Sequence, residues 1–167
     1  MSAEKTFKLT LFTFLALIAA GSNRPGFSTD QPIAFPHSVH IKDVEMECVD
    51  CHQGATTSFH AWLPNLSLCM QCHEDKLSDN PEEEKVRRLA EESPPPEFNK
   101  LFKFPNHVFY SHRRHVVVAK IPCETCHGGI ASTSAPPSRP LVKIRMEFCI
   151  SCHQRRKITV DCIACHR

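Results

Sequence analysis

Apolar residues in this chain are concentrated at its start and scattered thereafter. Lys5 and Lys8 precede a run from Leu9 to Ala20, and Ala19-Ala20-Gly21 offers the small residues at which a leader is cut. The run is about a dozen residues, short for a membrane span. Residues 1–21 therefore read as an export signal, with an uncleaved N-terminal membrane anchor as the alternative. Residues 22–32, rich in Ser, Asn, Gly and Pro, form a linker. A helix is expected in NPEEEKVRRLAEES, residues 80–93. Asn80 can cap it, Pro81 suits its first position, and Glu82, Glu83 and Glu84 sit at the positive end of its dipole. Glu83 with Arg87 and Glu84 with Arg88 are favourable four-apart pairs. Only Val86, Leu89 and Ala90 offer an apolar stripe, so the expectation is a solvated connecting helix rather than a docking surface. Ser93-Pro94-Pro95-Pro96 stops it.

The rest of the pattern is dominated by a repeated string: CVDCH at 48–52, CMQCH at 69–73, CETCH at 123–127, CISCH at 149–153 and CIACH at 162–166. These use all ten cysteines, Cys48, Cys51, Cys69, Cys72, Cys123, Cys126, Cys149, Cys152, Cys162 and Cys165. Each second cysteine is followed by a histidine: His52, His73, His127, His153 or His166. Cysteines three apart lie on one side of a helical turn, so both sulfurs can reach the vinyl groups on one porphyrin edge. The next residue then brings its imidazole under the iron. This is the attachment site of a c-type haem.

Other chemistries share part of the pattern. The pairs 48/51 and 69/72 are spaced like a four-cysteine zinc ribbon. Disulfide frameworks use even cysteine counts, and thioredoxin-like sites use cysteines three apart. None requires a histidine after every pair. With 11 histidines in 167 residues, five such placements by chance come to roughly one in a million. The cofactors expected are five covalently bound haem c groups.

Six histidines remain: His37, His40, His60, His107, His112 and His115. A low-spin electron-transfer haem needs a second axial ligand, so six candidates face five vacancies. FPHSVH, with Phe35, His37 and His40, recurs as YSHRRH, with Tyr110, His112 and His115, at an offset of 75 residues. The offset carries through Cys48 to Cys123, Cys51 to Cys126, His52 to His127 and Gly54 to Gly129, and slips by five before Cys149. The slip falls in 131–140, expected to be a loop. The chain is thus an internal duplication with one extra haem site at the end of its second half. Met146, three residues before Cys149, is a further candidate ligand or a filler of the core.

Composition agrees with a cofactor-built interior. Tyr and Trp occur once each, glycine is scarce and 13 prolines interrupt regular structure, so an ordinary core is hard to assemble. Phe98, Leu101, Phe102 and Phe104 are expected to pack on haem faces. The formal charge of +2 becomes mildly acidic once ferric haems with ionised propionates, about one negative charge each, are added. Nothing in it argues for nucleic acid.

The HxxH pair eight residues ahead of a CxxCH resembles the class III multihaem cytochromes c. That resemblance implies that His37 serves the haem on Cys48/Cys51 and His112 the one on Cys123/Cys126, with His40 and His115 serving later haems in their halves. QPIAFPHSVH, LCMQCH, VRRLAEESPPPEFNK, FPNHVFYSHRRH and MEFCISCH together resemble the pentahaem subunit of alternative complex III and its relatives, over about residues 31–154. It implies an electron carrier serving a quinol-oxidising membrane assembly.

The expected fold is a small multihaem cytochrome c: few short helices and much irregular structure around five haems, with little or no sheet. Its parts are a first haem half at 33–79 (two haems), a connecting helix and Pro-rich linker at 80–105, and a second half at 106–167 (three haems). The expected function is single-electron transfer between redox protein partners, in the periplasm or tethered to the inner membrane by the leader. The alternative is a reductase of a small oxidised nitrogen or sulfur compound, which needs an iron with an open position. The pentahaem nitrite reductases replace the motif histidine with lysine at that position; all five motifs here end in histidine.

Overall fold

The computed structural model describes residues 31–166. The leader and most of the 22–32 linker lie outside the described residues. Order within them is built from single turns and three helices of eight to ten residues. The helices are α1 (Cys48–Cys51), α2 (Gly54–Thr57), α3 (Leu66–His73), α4 (Pro81–Ala90), α5 (Glu124–His127), α6 (Met146–Arg155) and α7 (Cys162–Cys165). Among the described residues no strand forms, and the one isolated β-bridge joins Val108 to His166. This is the helix-poor, sheet-free arrangement expected. Residues 131–140 are irregular except for the end of a 3-10 turn at Ile130–Ser132.

Protein-only burial is sparse. Ile33, Ala55, Leu66, Val86 and Leu89 are the buried apolar residues. Four of them form one cluster, Ile33, Leu66, Val86 and Leu89, with Cys69, Met70, Ala90 and Phe98 packed against it. The expectation of a solvated connecting helix is therefore corrected. The stripe on α4 is thin, but α3 lies opposite it, and together they make the core. Asn80 caps α4 by accepting from Glu82 N at 3.0 Å, with Pro81 behind it. Glu83 pairs with Arg87 as expected, at 2.8 Å, whereas Glu84 also goes to Arg87, three residues on, at 2.6 Å. Phe98 packs on this cluster together with Cys69 and Met70 of the second CxxCH motif. Phe102 meets His127 edge-on at 5.0 Å.

The duplication extends into the backbone. Each HxxH segment runs into a five-residue π-helical turn, Val39–Asp43 and Arg114–Val118, closed by Val44 N to Val39 O (3.1 Å) and Ala119 N to Arg114 O (2.9 Å). Both then reverse through a residue of positive φ, Glu45 at 60° and Lys120 at 50°. Behind each reversal an amide returns to the second histidine's carbonyl, Met46 N to His40 O (2.9 Å) and Ile121 N to His115 O (3.0 Å). Wide π turns of this kind recur at functional sites.

The two halves are braced across one another. Arg113 N donates to Ser58 O at 3.1 Å, and the equivalent Ser38 N donates to Thr133 O at 2.9 Å. Ser58 and Thr133 are themselves 75 residues apart, so the exchange is reciprocal, as across a local two-fold axis. Each HxxH segment is thus held by the loop that follows the other half's CxxCH.

Candidate haem-binding sites

The motif helices position their residues by short local bonds. In three of the five, the histidine amide closes the turn onto the first cysteine: His52 N to Cys48 O, His127 N to Cys123 O and His166 N to Cys162 O, each at 2.9 Å. The other two motifs lie inside the longer helices α3 and α6. Glu47 N, at the head of α1, donates to Asp50 Oδ2 at 2.7 Å, and Asn65 caps α3 by accepting from Leu68 N at 3.0 Å. None of the ten cysteines is joined in a disulfide, and all are exposed or partly exposed. No three His, Cys, Asp or Glu side chains converge as a metal cluster among the described residues, so the thiols do not gather into a zinc ribbon.

The histidines instead come together two by two. His40 faces His73 with ring centres 6.0 Å apart, His115 faces His153 at 6.2 Å, and His112 faces His127 at 6.4 Å with planes only 11° from parallel. His107 stacks on His166 at 5.4 Å. That pair is held by the Val108–His166 bridge and by Phe109 N donating to Cys165 O at 2.7 Å. His37 lies within electrostatic reach of His52. Every pair joins one motif histidine to one of the other six. His60 is exposed and joins no histidine ring pair among the described residues. Met146, 59% exposed, starts α6.

The ring nitrogens are sorted in advance. Nδ1 of His40 lies 3.1 Å from Pro36 O, and that of the equivalent His115 lies 2.7 Å from Ser111 O. His52 reaches Trp62 O at 2.8 Å, His112 reaches Phe59 O at 3.1 Å, and His153 reaches Thr159 O at 3.0 Å. A carbonyl oxygen only accepts, so the proton sits on Nδ1 and the Nε2 lone pair is left for a metal. His37 makes the same contact with Thr133 Oγ1 at 3.4 Å, a hydroxyl whose own proton goes to Ile130 O. Burial, helped by neighbouring histidines, holds His37 and His127 below the usual imidazole range. Burial likewise lowers His112, against the opposing bond to Phe59 O. All three are thereby kept neutral, as a metal ligand must be.

Two aromatic residues hold these histidines in place. Phe35 stacks on His40 at 4.3 Å and meets His37 edge-on at 4.9 Å; Tyr110 repeats this with His115 at 4.5 Å and His112 at 4.9 Å. Burial, with nearby cysteines, pushes the Tyr110 phenol up to about 12, so it serves as a neutral packing ring. Both were visible in the repeated sequence, but their role was not. Glu83 was missed as a site residue altogether. Its oxygen lies 3.8 Å from His73 Nδ1, and its only sequence clue is Arg87 four residues on.

The cysteine pairs also show which sites are neighbours. Burial raises the Cys69 thiol, and Cys51 adds to it. Cys123 is raised by burial and by the nearby Cys48. Cys126 feels Cys149 and Cys152, and Cys149 feels Cys165. The second motif therefore lies near the first, the first near the third, the third near the fourth and the fourth near the fifth. The junction of first and third falls where the two halves exchange their backbone bonds.

These residues fit haem c. A metal–imidazole bond is about 2.0–2.1 Å and a ring centre lies about one ångström behind its nitrogen, so imidazoles on opposite sides of one metal have centres roughly 6 Å apart. Three of the ring pairs stand at about that spacing and His107 with His166 somewhat closer, each beside a CxxC turn. Comparison with known proteins agrees. The chain is 29% identical over 164 residues, covering 83% of itself and 77% of the relative, to the multiheme cytochrome c subunit of menaquinone reductase from Nitratidesulfovibrio vulgaris. The profile of cytochrome c7 and related cytochrome c matches residues 33–89 and 108–167. The chain belongs to this family: it is a multihaem c-type cytochrome and an electron carrier.

Proposed function

We propose that this cytochrome carries five haems, each attached through one CxxCH and held between two histidines. It would pass single electrons along them for a membrane quinone-oxidoreducing complex. The proposed axial pairs are His37 with His52, His40 with His73, His112 with His127, His115 with His153, and His107 with His166. This leaves His60 and Met146 outside the ligand set. Each haem supplies a one-electron iron couple whose potential depends on its ligands and surroundings. The chain's own part is to hold ten imidazoles by Nδ1 or by stacking and to set five attachment turns near one another.

The observation that carries the reading is the ring-to-ring pairing of four of the five motif histidines with a second histidine, while His37 lies within electrostatic reach of the fifth, His52. A reductase needs a coordination position open to substrate, and in this pairing none is left. The likeness to a menaquinone reductase subunit supports a quinone-linked partner, and the apolar leader at residues 9–20 supports export to the periplasm. No helix among the described residues is long and apolar enough to cross a membrane. Electron paramagnetic resonance of the oxidised protein tests the reading. All-low-spin signals that nitrite and cyanide leave unchanged are expected; a high-spin signal that shifts on adding either would favour catalysis.

A further inference from the structure

His73 differs from the other motif histidines in what faces its Nδ1. That nitrogen is buried and has no hydrogen-bond partner, and Glu83 Oε1 lies 3.8 Å away. Glu83 is itself only 6% exposed. Its carboxylate is pinned by Leu77 N at 2.6 Å, Ser78 Oγ at 2.5 Å and an Arg87 guanidinium nitrogen at 2.8 Å. Three hydrogen-bond donors thus hold it, none of them an acceptor, and the imidazole edge of His73 faces it at 3.8 Å without a hydrogen bond. The equivalent histidine of the second half, His153, makes its Nδ1 bond to the neutral carbonyl of Thr159 at 3.0 Å. Two sites related by duplication therefore present different charges to the same face of the imidazole.

We propose that Glu83 sets a lower reduction potential at the haem site of Cys69 and Cys72 than at its duplicate on Cys149 and Cys152. The inference rests on the reading of His73 as that iron's ligand. A negative charge beside Nδ1–H makes the imidazole a stronger donor and stabilises the more positive, oxidised iron. Hydrogen bonds from Leu77 N, Ser78 Oγ and Arg87 all favour the ionised carboxylate. Arg87 offsets part of that charge, but its other terminal nitrogen is drawn to Glu84 at 2.6 Å.

The test is a spectroelectrochemical titration of the holoprotein, of Glu83→Gln and of Arg87→Gln at one fixed pH. Glu83→Gln is expected to raise one midpoint potential by at least about tenfold in the reduction equilibrium, about 59 mV for one electron. Arg87→Gln, which leaves the carboxylate less compensated, is expected to lower the same potential. Opposite signs identify a charge effect, since mere loosening of α4 would move both variants the same way. Arg87→Gln also keeps the test open where Glu83→Gln does not assemble. Unchanged potentials with every haem still low-spin, or shifts of one sign in both variants, would overturn the proposal. His73→Ala separates the two layers. A spin change there, together with unmoved potentials in the other variants, sinks only the role of Glu83. No spin change would sink the ligand reading and this inference with it.

Discussion

His40 stands with its ring centre 6.0 Å from that of His73, and the same relation recurs between His115 and His153 at 6.2 Å. The members of the two pairs are offset by 75 residues (40 to 115) and 80 (73 to 153), the second figure including the five-residue slip. A spacing kept through a change of register reflects a requirement at the contact itself. In the proposed pairing that requirement is an iron between the rings. His40→Ala and His115→Ala should each convert one haem from low to high spin while the number of covalent haems stays the same. The check is electron paramagnetic resonance alongside intact mass; an unchanged spin state in both would reject the pairing.

His107 and His60 make a sharper comparison, because both are exposed and neither recurs in the duplication. Only His107 faces a motif histidine, His166 at 5.4 Å. His107→Ala should produce one high-spin haem, whereas His60→Ala and Met146→Leu should leave the visible and magnetic spectra as they are. A spin change in His60→Ala with none in His107→Ala would reverse the assignment.

Gly54 and Gly129 are equivalent in the repeat but not in their surroundings. A Cβ on Gly54 would collide with the His60 carbonyl oxygen and come within 2.7 Å of the Trp62 ring, while a Cβ on Gly129 meets nothing within 4 Å. The crowded turn is the one that delivers the Trp62 carbonyl to His52. Gly54→Ala should cost about 2–4 kcal/mol, and Gly129→Ala should lie within about 0.5 kcal/mol of wild type. Thermal unfolding of the holoproteins measures both.

The acid limb of stability should carry the mark of Glu83. Its partners, Ser78 and Leu77 foremost, hold the folded carboxyl at about 2, against an ordinary 4.5. A depressed carboxyl contributes stability that is fully present above its unfolded value and is lost as pH falls through the folded one. The stability difference between wild type and Glu83→Gln should therefore be constant near neutrality and shrink as pH drops from about 4.5 towards 2. A difference that stays constant over that interval would contradict the hydrogen bonds described.

Much of the candidate site could be read from short-range spacing. CxxCH and HxxH are local strings, and a 75-residue offset shows without any structure. The α4 cap was equally local, since Asn80 and Pro81 act on their own helix. What stayed hidden depended on tertiary path. Three apolar residues on α4 read as a solvated face until α3 placed Leu66 and Met70 against them. The meeting of His107 with His166 is made by backbone bonds between Val108–Phe109 and the last turn, which no periodicity announces. The π turns and the reciprocal Ser38–Thr133 and Arg113–Ser58 bonds are backbone features that no side-chain pattern encodes. Glu83 looked like one of three capping acids because its other role needs His73 beside it.

The central claim is that each of the five CxxCH turns carries its own thioether-bound haem. Intact mass spectrometry of the purified holoprotein tests this most directly. The account predicts the mass of the polypeptide plus five haems, with no free thiol left to alkylate. A species saturating at four haems or fewer, with a pair of cysteines open to alkylation, would contradict it.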